Sequence, residues 1–127
     1  MSAVIGERPI RNLDFVRALA RCKSKKATRQ LLNSANADQL LCLVEICVNL
    51  VKDRYLLPTG ARRRLQRHST HIKTLSRKRS DRATRSWCIA NAPQRGRGSP
   101  AVVAAILAPL IADYVIKKIS NNAATNN

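Results

Sequence analysis

Aromatic side chains are nearly missing from this chain. Phe15, Tyr55, Trp87 and Tyr114 are the only four in 127 residues. Proteins that hold single-stranded nucleic acid usually stack bases on several aromatic faces, so base stacking is not expected here. Acidic side chains are also scarce, at seven against 24 Lys and Arg. The formal charge of +17 points to a polyanionic partner. Long apolar runs are absent. The longest, Ala101 to Ala112, has twelve residues, short of the ~18 that a spanning helix needs. Glycine occurs four times, and none of the four builds a phosphate-cradling loop. No two-residue alternation marks a strand, and no segment repeats.

Cysteine is present, but not in a metal-binding arrangement. Cys22, Cys42, Cys47 and Cys88 stand too far apart for a zinc site, and His68 and His71 add little. No metal or other cofactor is expected. Met1 to Arg11 holds no apolar run of the length a secretory signal needs. Free thiols in a reducing compartment are therefore the expected state. Ser, His and Asp all occur, yet nothing sets a nucleophile beside a base. The chain is not expected to be an enzyme.

What the sequence does have is basic charge, unevenly spread. Residues 54–97 carry thirteen Lys or Arg and one acid, Asp81. Residues 1–53 carry nine and five, and residues 98–127 two and one. A merely soluble surface intersperses both signs. The block at 54–97 instead predicts a polyphosphate partner, with anionic lipid as the alternative.

Helical periodicity organises the rest. Residues 1–11, with Gly6 and Pro9, predict a flexible arm. Asn12 is the expected N-cap of a helix burying Leu13, Val16, Leu19 and Ala20, with Arg17, Arg21 and Lys25 as an outer stripe. Ser24 is expected to cap a second helix, through Leu32. Asn36 and Gln39 predict a capping box at the start of a third, about 37–54. That helix is apolar nearly all round and belongs at the centre of a bundle. Pro58 and Gly60 end it. Thr59 then starts a basic helix, about 60–79, held by Leu65, Ile72 and Leu75. Ser80 and Asp81 start another, with Ala83, Trp87 and Ala90 on its inner side.

The expected fold is therefore all-α, a small bundle of about four to five helices with a basic outer face, plus a hinged apolar C-terminal helix. Residues 1–11 form the arm and 12–92 the basic helical domain. Residues 93–100 form a Gly/Pro/Arg hinge, 101–119 the apolar helix, kinked at Pro109, and 120–127 a disordered tail.

Arg62, Arg63, Arg64, Arg67, Lys73, Arg77, Lys78 and Arg79 are the expected phosphate contacts, extended by Arg82 and Arg85. Guanidinium forks suit phosphate oxygens. Binding would proceed by counterion release and weaken steeply with salt. DNA and RNA share the phosphate, so composition leaves both open. The order helix, Pro58-Thr59-Gly60 turn, basic helix also fits a helix-turn-helix regulator. Charge that runs around the helix and beyond it favours sequence-independent binding. The apolar segment 101–119 leaves open a last core helix, a membrane-surface segment with Lys117 and Lys118 at the headgroups, or a capsid-docking helix.

Three segments together carry a family resemblance. They are NLDFVRALARCKSKKATRQLLNSANADQLLCLVEICVNLVK (12–52), RRRLQRHSTHIKTLSRKRS (62–80) and the apolar C-terminus behind its Gly-containing hinge. Their order resembles the small basic virion-core proteins of adintovirus and Polinton-like viruses, a group compared with adenovirus core protein X. The resemblance implies DNA condensation inside a virion, and a host-nuclear setting. Gln94-Arg95-Gly96-Arg97-Gly98 looks like the x-x-Gly-x-Gly site of adenovirus-type maturation proteases. It implies cleavage between Arg97 and Gly98, separating the basic portion from the apolar tail.

Overall fold

The computed structural model describes residues 7–55, 57–91 and 102–113, which contain helices and no strand. Eight helices follow one another within these residues. They are α1 (Glu7–Arg11), α2 (Leu13–Ala20), α3 (Lys25–Ser34), α4 (Ala37–Val51), α5 (Thr59–Gln66), α6 (Ser69–Ser76), α7 (Asp81–Ala90) and α8 (Val102–Asp113).

Three helix starts are set by side chains. Ser24 Oγ accepts a hydrogen bond from the Ala27 amide at 3.0 Å, and Ser80 Oγ from the Ala83 amide at 3.1 Å. Asn36 and Gln39 form the expected capping box. The Gln39 amide donates to Asn36 Oδ1 at 2.8 Å, and the Asn36 amide to Gln39 Oε1 at 2.9 Å. Such caps satisfy amides that a helix leaves open, and each contributes about 1 kcal/mol. Asn12 does not cap α2. Its Nδ2 donates instead to Arg8 O and Asp38 Oδ2, both at 2.9 Å. Thr59 does not cap α5 but is its first residue, after Pro58.

The centre of the molecule is α4. It packs on α1, α6 and α7, while α3 packs on α7 and α8 packs on α2 and α5. Leu40, Leu43, Ile46 and Cys47 recur at helical spacing and are buried. Phe15, Val16 and Leu19 of α2, Leu32 of α3, Leu65 of α5, and Ile72 and Leu75 of α6 complete this part of the core. Fully burying one such Leu or Ile contributes about 1.5–3 kcal/mol.

The segment Glu7–Arg11, expected within a flexible arm, is helical and lies on α4. The cause is Asp38, in the first turn of α4. Arg11 grips both its oxygens, at 2.8 and 3.0 Å, and Arg8 Nε adds a bond at 3.0 Å. The expected single helix at 60–79 is broken at Arg67–His68 into α5 and α6. These pieces have different partners, α8 for α5 and α4 for α6, which one straight rod could not serve.

On α7 the buried residues are Thr84 and Cys88 rather than Ala83 and Ala90, while Trp87 packs partly buried against the core. The apolar C-terminal helix does not stand apart. Val103, Ile106, Leu107 and Leu110 are buried in the common core. These positions form one stripe at i, i+3, i+4 and i+7. Pro109 lies within this helix. Because α1 is helical and α5 and α6 are separate, the helices outnumber the expected four to five. The first six residues of the arm, the hinge 93–100, residues 114–119 and the tail 120–127 lie outside the described residues.

Candidate nucleic-acid interface

The basic elements begin where α4 ends, and that end is tightly built. The Asp53 amide donates to Leu50 O at 3.1 Å and the Arg54 amide to Asn49 O at 2.9 Å. This is the Schellman pattern, which closes a helix with one left-handed residue. Asp53 occupies that position, at φ 53. Asp and Asn tolerate it better than other non-glycine residues. Asn49, itself buried, locks the turn from inside. Its Nδ2 donates to Tyr55 Oη at 3.1 Å, and its Oδ1 accepts from Arg54 Nη1 at 2.9 Å. Burial pushes the Tyr55 phenol up to about 12, against the opposing bond from Asn49.

From this turn the chain enters α5, where Leu65 is buried and Arg62, Arg63 and Arg64 directly precede it. Arg62, Arg63, Arg64, Arg67, Lys73, Arg77, Arg79 and Arg82 are all exposed, and Lys78 is half-buried. Arg62 and Lys73 come from different helices, yet line one open cavity of about 340 Å³. Leu50, Leu57, Leu65 and Ile72 supply its apolar lining, with Asp53 also bordering it. Asp53 Oδ1 lies 3.7 Å from Arg62 Nη2, with both side chains more than half exposed. Exposed pairs of this kind contribute little. Among the described residues, Arg63, Arg64, Arg67, Lys73, Arg77, Lys78, Arg79 and Arg82 have no acidic partner. The cations are therefore available to an external anion.

Arg85 is placed differently. Its Nε donates to Leu32 O at 3.2 Å and its Nη2 to Ala35 O at 2.8 Å. These carbonyls lie at the C-terminal end of α3, where Leu32 O also accepts from the Ala35 amide at 3.3 Å. Arg85 thus ties α7 to α3 and is not free for phosphate. No sequence signal marks this role, because the bonded residues lie 50 and 53 positions apart.

The histidines form part of the packing behind the basic helices. His71 lies between His68 and Trp87, with ring centroids 6.3 and 5.9 Å away. Burial first, then the neighbouring His71 and Arg67, lowers the His68 pKa below its ordinary 6.5.

The buried thiols are held protonated. Burial pushes Cys42 and Cys88 up to about 12 and shifts Cys47 the same way. All four cysteines are free. No group of three His, Cys, Asp or Glu able to hold a metal occurs among the described residues. No single helix among them is long and apolar enough to cross a membrane. The candidate cleavage bond Arg97–Gly98 lies outside the described residues.

One further cationic surface did not figure among the expected phosphate-binding residues. Lys23, Lys26 and Arg29 are exposed on and just before α3. The signal for it is an absence, since no Asp or Glu occurs from Phe15 to Ala37. No family model, curated protein or solved structure matches this chain.

Proposed function

We propose that this protein binds the phosphate backbone of double-stranded DNA without regard to base sequence, condenses it, and carries out no catalytic step. The observation that carries this reading is the run of eight exposed cations from Arg62 to Arg82. No Asp or Glu occurs from Arg54 to Ser80, and Asp53, just ahead of them, is only weakly paired. Duplex DNA offers one charge per ~1.7 Å of axis, and each neutralised phosphate releases counterions. A protein that neutralises roughly six to ten phosphates loses about 10³- to 10⁵-fold in affinity between roughly 50 and 200 mM salt. The scarcity of aromatics favours binding to the backbone over reading of bases.

The setting we propose is a virion assembled in a host nucleus, on the strength of the resemblance to small basic virion-core proteins. A maturation protease acting between Arg97 and Gly98 belongs to the same proposal. The stripe Val103, Ile106, Leu107 and Leu110 is buried against the rest of the chain, so severing that bond would leave α8 docked. Membrane or capsid docking through residues 101–119 is the less favoured reading, because α8 would first have to give up its place on α2 and α5.

The test is binding of the full chain to random-sequence duplex DNA across a salt series, with duplex RNA and anionic vesicles in parallel. Tight, sequence-indifferent DNA binding with a steep log–log slope supports the proposal. Equal or tighter binding to duplex RNA would move the partner to RNA. Vesicle binding with weak DNA binding would replace it with a lipid-surface role.

A further inference from the structure

The α3 helix is charged on the side away from its packing partner. Its buried residues are Thr28 and Leu32, and it packs on α7, to which Arg85 also ties it. Its exposed residues include Lys26, Arg29, Gln30 and Asn33. These fall at i, i+3, i+4 and i+7, one continuous face. Arg21 and Lys23 are exposed just ahead of the helix. No acidic side chain interrupts the set, because none occurs between Asp14 and Asp38.

The first turn of α3 holds no acid and begins Lys25-Lys26. Cations there oppose the positive end of the helix dipole, where natural helices favour Asp or Glu. An arrangement that is unfavourable for the isolated helix becomes favourable once an external anion lies against it. Gln30 and Asn33 supply neutral donors that can also reach phosphate oxygens.

This face and the α5–α6 face lie on helices joined through α7 and α4. Packing runs from α3 to α7, from α7 to α4, and from α4 to α6. Three helix–helix steps of about 8–10 Å each lie along that path. Each step is about as long as the screening length of about 8 Å at physiological salt. Phosphates bound on one side leave the other side's potential largely intact, so the second face stays attractive after the first is filled.

We infer that α3, through Lys23, Lys26 and Arg29, is a second DNA-backbone site, so that one copy of the chain bridges two duplexes. This rests on the proposed DNA binding and adds its mechanism of condensation: cross-linking by a single bivalent molecule, without a need for oligomers. Two linked sites also raise avidity on condensed DNA above that of either face alone.

The experiment compares the full chain with two triple variants of equal charge loss. One is Lys23→Gln, Lys26→Gln, Arg29→Gln. The other is Arg62→Gln, Arg63→Gln, Arg64→Gln. Circular dichroism confirms that both keep their helices. Each is assayed for binding one duplex, and for capture of a second, fluorescent duplex by a bead-bound one.

The α3 variant is expected to bind a single duplex on its α5–α6 face yet lose second-duplex capture. The α5 variant is expected to lose both most of its single-duplex affinity and capture. Undiminished capture by the α3 variant would overturn the inference while leaving DNA binding intact. So would wild-type protein that binds one duplex but captures no second. Wild-type protein that binds no duplex would instead overturn the proposed function itself.

Discussion

Asp38 shows how one carboxylate can organise a cationic chain. The Arg11 fork, the Asn12 amide and Arg8 hold its carboxyl well below the ordinary 3.8. With a folded pKa below the unfolded one, its contribution to stability is whole well above pH 3.8. It is lost as pH falls from there through the folded value. Asp38→Asn should therefore have a lower urea midpoint than wild type at neutral pH, with the gap narrowing as pH falls below about 3.8. A gap of unchanged size near pH ~2 would place the effect elsewhere. Arg85 makes the opposite point, since its charge serves the fold. Arg85→Gln should cost about 1.5–3 kcal/mol in denaturant unfolding, as loss of charge-assisted bonds does, and should leave DNA affinity nearly unchanged. An Arg85→Gln protein of normal stability but weakened DNA binding would return this residue to the interface. Neither role was legible in the sequence. Arg8, Arg11 and Asn12 read as arm and cap, and Arg85 as one more surface cation. Their partners, Asp38, Leu32 and Ala35, come from distant parts of the chain.

Among the elements, what was legible was what is local. The caps at Ser24, Asn36 and Ser80 and the apolar helix α4 follow from neighbours within a turn, and the structure keeps them. The break between α5 and α6 was hidden because Leu65, Ile72 and Leu75 fit one helical stripe, and only their separate partners part them. The placement of α8 was hidden for a related reason. An apolar segment behind a hinge composition has the same pattern whether it docks at home or elsewhere. Its burial makes a sharp prediction. Leu107, 2% exposed, should cost about 2–5 kcal/mol when replaced by Ala, read from the denaturant midpoint of the full chain. No loss of stability would mean that α8 does not pack in the core.

At the scale of the whole molecule, a formal charge of +17 on 127 residues sets a conflict between compaction and repulsion. The fold resolves it by segregation. A central apolar helix packs against α1, α6 and α7, and the cations are turned outward on α3, α5 and α6. The positions of most expected phosphate-binding residues were legible, because exposed charge is a default outcome for Arg and Lys. Which cations are tied up by carbonyls or carboxylates was not. The most direct measurement of the central claim is the salt dependence of DNA affinity for wild type and for the variant with Arg62, Arg63, Arg64 and Arg67 all changed to Gln. The expected result is weaker binding to every duplex sequence alike. The log–log salt slope should flatten by about 0.9 for each phosphate that the variant no longer neutralises. An unchanged slope, or a loss confined to one sequence, would contradict backbone binding by this face.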